Sequence, residues 1–437
     1  MVKVLLDIMK KIGRIFFKLA IKNYMIFKPL LGLVNLEIRS RFKMWFLRRV
    51  FRVLYFRKPN LIFDVNLKKG ITLVGYPCAD IGEGELLRQT AKAFLKNNIN
   101  LGIYNFNFGI QSSQNNQSLA SFIRSDNPHL TNIFHLKPDQ FEAFVVSLGN
   151  SFVKGRYNIG FWPWELSDLP ESWMISVKYF HEIWCPSRFI QSAVSKFLTE
   201  PAAVYMPPAL EIEDPKGFDR SFFKLPKDRF LFLFIFDFKS CFSRKNPMGC
   251  VRAFQEAFHK SDKSVGLVLK SIGGDQYPNE FSKLNEAIRA DSRINFIDAI
   301  YSPEEIVGLM SVCDSFVSLH RSEGIGLSIA QSMLLGKPVI ATGYSGNIDF
   351  TRSDNSCLVD YKLIEVGEGE YPFSEDQVWA DPNIDQASDY MRKLVKDDEY
   401  RYTISKAGYS YIKTYHSYET AGEKYRDRLV GLGLLNE

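Results

Sequence analysis

Long apolar runs are the first thing this 437-residue chain lacks. No uninterrupted stretch reaches the roughly 18–20 apolar residues that a bilayer-spanning helix needs. The opening segment is broken by lysine every few residues, with no clean apolar core and small-residue cleavage site, so it does not read as a secretory signal. Cysteine is sparse. The six, at 78, 185, 241, 250, 313 and 357, form no CxxC pair and no metal-like spacing, which fits reduced thiols in a cytosolic protein. No Asp-x-Asp motif stands ready to hold a divalent cation, and neither short repeats nor low-complexity tracts are present.

What is present is an uneven charge. Residues 1–58 hold fifteen Lys/Arg against Asp7 and Glu37, a surplus of +13 beside a whole-chain net of +6, so the remainder carries −7. On a helical wheel Lys3, Lys10, Lys11, Arg14, Lys18 and Lys22 share one face, with Leu5, Ile8, Ile12, Phe16 and Leu19 opposite. Pro29 interrupts the pattern, and Phe42 to Phe56 follows as a second aromatic and arginine-rich part. A basic amphipathic arm of this kind suits an anionic membrane surface; a helix packed on its own domain would show a similar face. Nucleic acid is the poorer partner, because the rest of the chain is acidic and has no recognisable nucleic-acid module.

Beyond the arm, apolar strands alternate with helical periods. Ile71–Gly75, Leu101–Tyr104, Asn132–Leu136, Tyr157–Phe161 and Glu182–Cys185 form one array. Residues 201–228 mix prolines and charge without period. A second array runs through Phe230–Asp237, Val265–Lys270, Ile294–Ile297, Asp314–Leu319 and Pro338–Thr342. The divisions are an extension at 1–58, an α/β domain at 59–205, a linker at 206–228, a second α/β domain at 229–410 and a closing helical segment at 411–437.

Ser318-Leu-His-Arg-Ser-Glu323-Gly-Ile-Gly-Leu-Ser-Ile-Ala-Gln331 is the most informative stretch. It sets an acidic residue in a glycine-bearing loop between a strand and a helix predicted over about 327–335. Gly324 and Gly326 permit tight turning and close approach, and the helix N-terminus offers amide N–H groups to an anion. An ordinary βα turn would use the same residues. After the first strand of the second array comes Phe-Ser-Arg244-Lys245-Asn-Pro, adjacent cations at a strand's carboxyl end, where a diphosphate could be neutralised. Lys270 ends the next strand. In the first array His135 ends a strand, and Trp162-Pro-Trp164-Glu165 offers aromatic faces beside a carboxylate. These suit a sugar or polar acceptor, or else simply pack the interdomain cleft.

The Glu323 stretch resembles the donor-sugar motif of family-four retaining glycosyltransferases, which have two Rossmann-like domains facing across a cleft, the GT-B fold. The resemblance covers about residues 70–430. It implies that Glu323 contacts a donor sugar beside Gly324, Ile325, Gly326 and Leu327, and that the position of Gln331 binds the nucleotide ribose. The family has glutamate there, and Gln keeps one acceptor but loses the charge. It further implies that Lys245 and Arg244 stabilise a leaving diphosphate, with Lys270 near. Gly82-Glu-Gly84 resembles the first-domain glycine loop beside donor and acceptor. Trp162, Trp164, Glu165 and His135 fall on the acceptor side, where Trp-x-Trp-Glu resembles a block of a bacterial surface-polysaccharide subgroup. The expected substrates are a nucleotide-diphosphate sugar and a hydroxyl acceptor, with no metal and no cofactor. The expected site of work is the cytoplasmic face of the membrane. A non-catalytic nucleotide-sugar-binding scaffold, suggested by Gln331, and a GT-B epimerase are the alternatives.

Overall fold

The computed structural model describes residues 61–108 and 113–436, together with Arg49 and Phe51. The amphipathic pattern at 1–58 lies outside the described residues apart from those two. Phe51 is fully buried and packs on Tyr179, ring centroids 5.7 Å apart, inside the first domain's core.

Two six-stranded parallel sheets form the body. The first contains β1 (Lys68–Gly75), β2 (Leu101–Asn105), β3 (His129–Phe134), β4 (Tyr157–Phe161), β5 (Glu182–Cys185) and β6 (Ala202–Tyr205), in the order β2-β1-β3-β4-β5-β6. The second contains β7 (Phe230–Ile235), β8 (Val265–Ser271), β9 (Ile294–Asp298), β10 (Ser315–Ser318), β11 (Val339–Thr342) and β12 (Cys357–Val359), in the order β12-β11-β10-β7-β8-β9. Both are Rossmann-like, as the two arrays predict. Strands such as Phe-Leu-Phe-Leu-Phe-Ile in β7 are continuously apolar because helices cover both faces of a parallel sheet. An antiparallel hairpin, β13 (Tyr361–Glu365) and β14 (Val378–Pro382), stands apart from both sheets.

Four helices frame the cleft and its supports: α1 (Gly82–Lys96), α2 (Pro247–Ala257), α3 (Leu327–Leu334) and α4 (Tyr418–Gly431). The last packs on α1, with Phe94 and Tyr425 ring centroids 5.4 Å apart. Gly422 permits this contact, since a Cβ there would meet the Ala93 carbonyl at 2.7 Å. The chain's end is thereby fastened to the first domain.

Sheet order fixes where ligands can sit. In open parallel sheets the crevice lies beyond the strands' carboxyl ends, where the winding reverses. The first sheet reverses between β1 and β3, which pair directly. The second reverses between β7 and β10, which also pair directly. The loops after these four strands hold most of the candidate site residues.

Candidate active site

Glu323 lies in the loop between β10 and α3, and its main chain is clamped from below. Its N–H donates to Ser345 Oγ at 2.8 Å, and its carbonyl accepts from the Gly346 N–H at 2.8 Å. A Cβ on Gly346 would fall 1.9 Å from the Gly324 carbonyl, so only glycine lets the two loops lie this close. Gly326, at φ +89°, is the N-cap of α3, a backbone region that glycine occupies without strain. The Ile325 and Leu327 side chains turn into or against the core. These two can therefore serve a ligand only through their backbone amides at the helix start.

Arg244 and Lys245 come from across the switch point, on a one-turn helix, Phe242–Lys245, after β7. Asn246, in the left-handed region, ends that turn and caps α2 through a bond from Gly249 N–H, which fixes the two cations in place. Lys245 Nζ donates to Glu323 Oε1, and Arg244 Nη1 lies 3.4 Å from Glu323 Oε2. Burial alone would raise the Glu323 carboxyl, but Lys245 and then Arg244 outweigh it and hold the group down at about 2. Glu323 is ionised throughout the physiological range.

The two cations are not equivalent. Arg244 is 4% exposed, and its guanidinium donates to the Ser240 carbonyl through Nε and Nη2 and to the Ser322 carbonyl through Nη1. Those bonds tie the β10 loop to the β7 loop. Lys245 is more open and spends one of its three donors on Glu323.

The first domain meets this cluster with Glu165, in the loop after β4. The Tyr371 hydroxyl donates to Glu165 Oε2 at 2.7 Å, and Ser322 Oγ donates to the Glu165 carbonyl. Burial by itself would raise the Glu165 carboxyl; Lys137 and Arg244, with the Tyr371 bond, pull it below its usual range despite nearby Glu323. Lys137, just after β3, pairs with Glu83 of α1 at 3.2 Å, which joins the two loops at the first switch point. Gly324 touches the other domain rather than open space, since a Cβ there would meet the Trp164 carbonyl at 2.8 Å.

Other sequence-selected residues lie outside this cluster. Lys270 is buried, with Nζ donating to the Ser271 carbonyl at 2.7 Å and lying 4.7 Å from the Tyr301 ring; burial lowers its ammonium to about 8. Gln331 is half-buried on α3, and its side chain makes no hydrogen bond among the described residues. Trp162 is fully buried between Trp173 and Phe180, so its ring is core and offers no face to an acceptor. Trp164 is 3% exposed, packs on Trp173 and Tyr371, and donates Nε1–H to the Asp168 carbonyl at 2.9 Å. His135 is also buried, against Phe161 at 4.7 Å, and burial lowers it to about 3, so its imidazole is neutral. Gly82 opens α1 with free space beside it, whereas Gly84 is structural: a Cβ would meet the Ala79 carbonyl at 2.4 Å.

Sequence reading missed Lys137 and Tyr371. Lys137 carries a usable signal, a cation just past a strand end beside His135. Tyr371 carries none, because it sits in the polar, aperiodic stretch between β13 and β14.

A glycine loop, a helix start and paired cations facing a carboxylate across two Rossmann-like sheets make the architecture that of the GT-B fold. Residues 216–411 match the family model described as glycosyl transferases group 1. The fold as a whole is shared with the Anabaena protein HepE solved with UDP and glucose, at 12% identity and TM-score 0.62, over 83% of this chain and 100% of that one. A glycosyltransferase from Rickettsia africae matches at 14% identity and TM-score 0.61, over 85% and 100%. Sucrose-phosphate synthase from Thermosynechococcus elongatus matches at 13% identity and TM-score 0.60, over 84% and 99%.

Proposed function

We propose that this protein is a glycosyltransferase that moves a sugar from a nucleotide-diphosphate donor to a hydroxyl acceptor with retention of anomeric configuration. The observation that carries the reading is the meeting of Glu323, Lys245 and Arg244 across the second switch point, opposite Glu165 of the first domain. UDP and sugar bound to the similarly folded HepE support a nucleotide-sugar donor.

In this reading Lys245 turns its remaining N–H donors to the departing diphosphate, whose growing charge most needs stabilisation. Arg244 contributes its charge from beneath while holding the two loops together. The amides at the start of α3 add the helix's positive end. Glu323, ionised and clamped, accepts hydrogen bonds from donor-sugar hydroxyls and sets the anomeric carbon's position. Glu165 accepts a hydrogen bond from the acceptor hydroxyl. The leaving phosphate takes the acceptor's proton in a same-face attack, so no protein nucleophile is required. The nucleotide sugar is a substrate, and the scheme uses neither a metal nor a cofactor.

The basic arm at 1–58 motivates a lipid-linked or membrane-proximal acceptor, as in polysaccharide or glycolipid assembly on the cytoplasmic face. Among the described residues no helix is long and apolar enough to cross a membrane.

The test is nucleotide-diphosphate release across a panel of nucleotide sugars, with and without membrane extract. Turnover with at least one donor, stimulated by extract, is expected. Binding without turnover across the panel would instead establish the scaffold reading that Gln331 motivates. Interconversion of the free sugar nucleotide would point to an epimerase.

A further inference from the structure

The hairpin β13–β14 does not extend either sheet, yet its connecting residues reach across the cleft onto the first domain. Gln377 Oε1 accepts from Ser167 Oγ at 3.3 Å and from the Asp168 N–H at 3.2 Å. Tyr371 lies edge-on to Trp164, ring centroids 6.0 Å apart and planes at 69°, with the Arg244 guanidinium 5.9 Å from its ring centroid. Behind it, Cys241 Sγ donates to the Glu370 carbonyl, and Glu370 Oε2 accepts from the Gly367 N–H at 3.0 Å, so the tip of the hairpin is fastened to its own domain. The tyrosine is thus held from three sides, with its hydroxyl on Glu165.

The two oxygens of Glu165 are treated differently. Oε2 takes the Tyr371 hydrogen bond, while Oε1 takes no hydrogen bond among the described residues. Burial pushes the Tyr371 phenol well above its ordinary range, so it remains a donor and stays protonated. A hydrogen bond from a neutral donor favours the charged form of a carboxylate and fixes its plane.

We propose that Tyr371 is a positioning residue that pins Glu165 Oε2, leaving Oε1 as the atom that receives the acceptor hydroxyl. This rests on the acceptor-side role proposed for Glu165. The donor domain then completes the acceptor site: Tyr371 orients a carboxylate that belongs to the other domain, Ser322 holds the main-chain carbonyl of the same residue, and Arg244 lends its charge. No proton passes to or from Tyr371.

Tyr371→Phe removes the hydroxyl and keeps the ring against Trp164 and Arg244. Its kinetics should be compared with the wild type using a donor that the panel turns over, with glycerol as a model alcohol acceptor and water as the reference acceptor. We expect kcat/KM for glycerol to fall about ten- to hundredfold, the range for a hydrogen bond to a charged group. Donor KM and donor hydrolysis should stay within twofold. The acid limb of the transfer profile should move to higher pH, because Glu165 loses a bond that favours its ionised form. Tyr371→Phe added to Glu165→Gln should cost little more than Glu165→Gln alone. An unchanged glycerol kcat/KM and acid limb in Tyr371→Phe, with Glu165→Gln impaired, overturns the Tyr371 role and leaves the Glu165 reading standing. An unimpaired Glu165→Gln sinks the reading beneath both. Independently of turnover, a crystal structure of Tyr371→Phe should show Glu165 in a different or mixed orientation; an unaltered carboxylate overturns the proposal.

Discussion

Lys245→Met is the substitution that bears hardest on the site. It keeps the aliphatic stem and deletes the ammonium that faces Glu323 Oε1. The carboxyl's displacement from 4.5 to about 2 corresponds to about 3 kcal/mol of preference for the ionised form. Lys245 is the larger of its two main cationic supports, so the substitution should lower folding stability by about 2 kcal/mol at pH 7. The sign of the pH effect follows from the depressed value. Glu323 stabilises the fold fully above its unfolded value near 4.5 and loses that contribution as pH falls toward about 2. The stability gap between wild type and variant should therefore be constant from pH 7 to about pH 5 and shrink below it. Urea unfolding at pH 7, 4 and 3 measures this. Nucleotide-diphosphate release should fall by about 10²–10³, the cost of removing one preorganised stabiliser of developing charge. A variant destabilised as expected but turning over within threefold of wild type would make Lys245 a structural counter-ion only. A pH-independent stability gap would refute the electrostatic account of Glu323.

Glu165→Gln should reduce transfer to an alcohol acceptor by at least tenfold while donor affinity, read by calorimetry, changes less than twofold; a larger effect on donor binding would move Glu165 to the donor side. Gln331→Glu places a charged acceptor on α3 and should tighten binding of the nucleotide diphosphate that the panel identifies by roughly fivefold, about 1 kcal/mol, and unchanged affinity would remove Gln331 from the nucleotide site. Deleting residues 1–48, which stops short of buried Phe51, should abolish partition onto vesicles containing anionic lipid and leave the unfolding midpoint unchanged. Undiminished partition would sink the membrane role of the arm.

The alternation of strands and helices was legible because parallel strands are apolar throughout and their helices repeat at 3.6 residues, as β7 and α3 illustrate. Glu323 and the Arg244–Lys245 pair were legible individually, each just beyond a strand. Their meeting was not, because it depends on β7 lying beside β10, a spatial order that skips two strands in sequence. The Trp-Pro-Trp-Glu block shows a different limit. Position after a strand told where the loop begins but not which side chains turn inward, and Trp162 went to the core while Glu165 faced the cleft. Tyr371 was out of reach for a third reason: it lies in an aperiodic excursion whose only anchor is tertiary.

The charges in the cleft also bear on how a donor of the proposed kind is received. Glu83, Glu165 and Glu323 stand among Lys137, Arg244 and Lys245, three acids against three bases, each engaged by a partner in the set or by the backbone around it. A diphosphate arriving there adds negative charge to a balanced group. Arg244 has few donors left to offer, and Lys137 is held by Glu83. Lys245, with two donors unspent and the start of α3 beside it, is the group able to accommodate the new charge without breaking the loop ties. In the proposed reaction Lys245 is therefore shared: one donor stays on the Glu323 carboxylate, which keeps its free lone pairs for sugar hydroxyls, and the other two turn to the diphosphate.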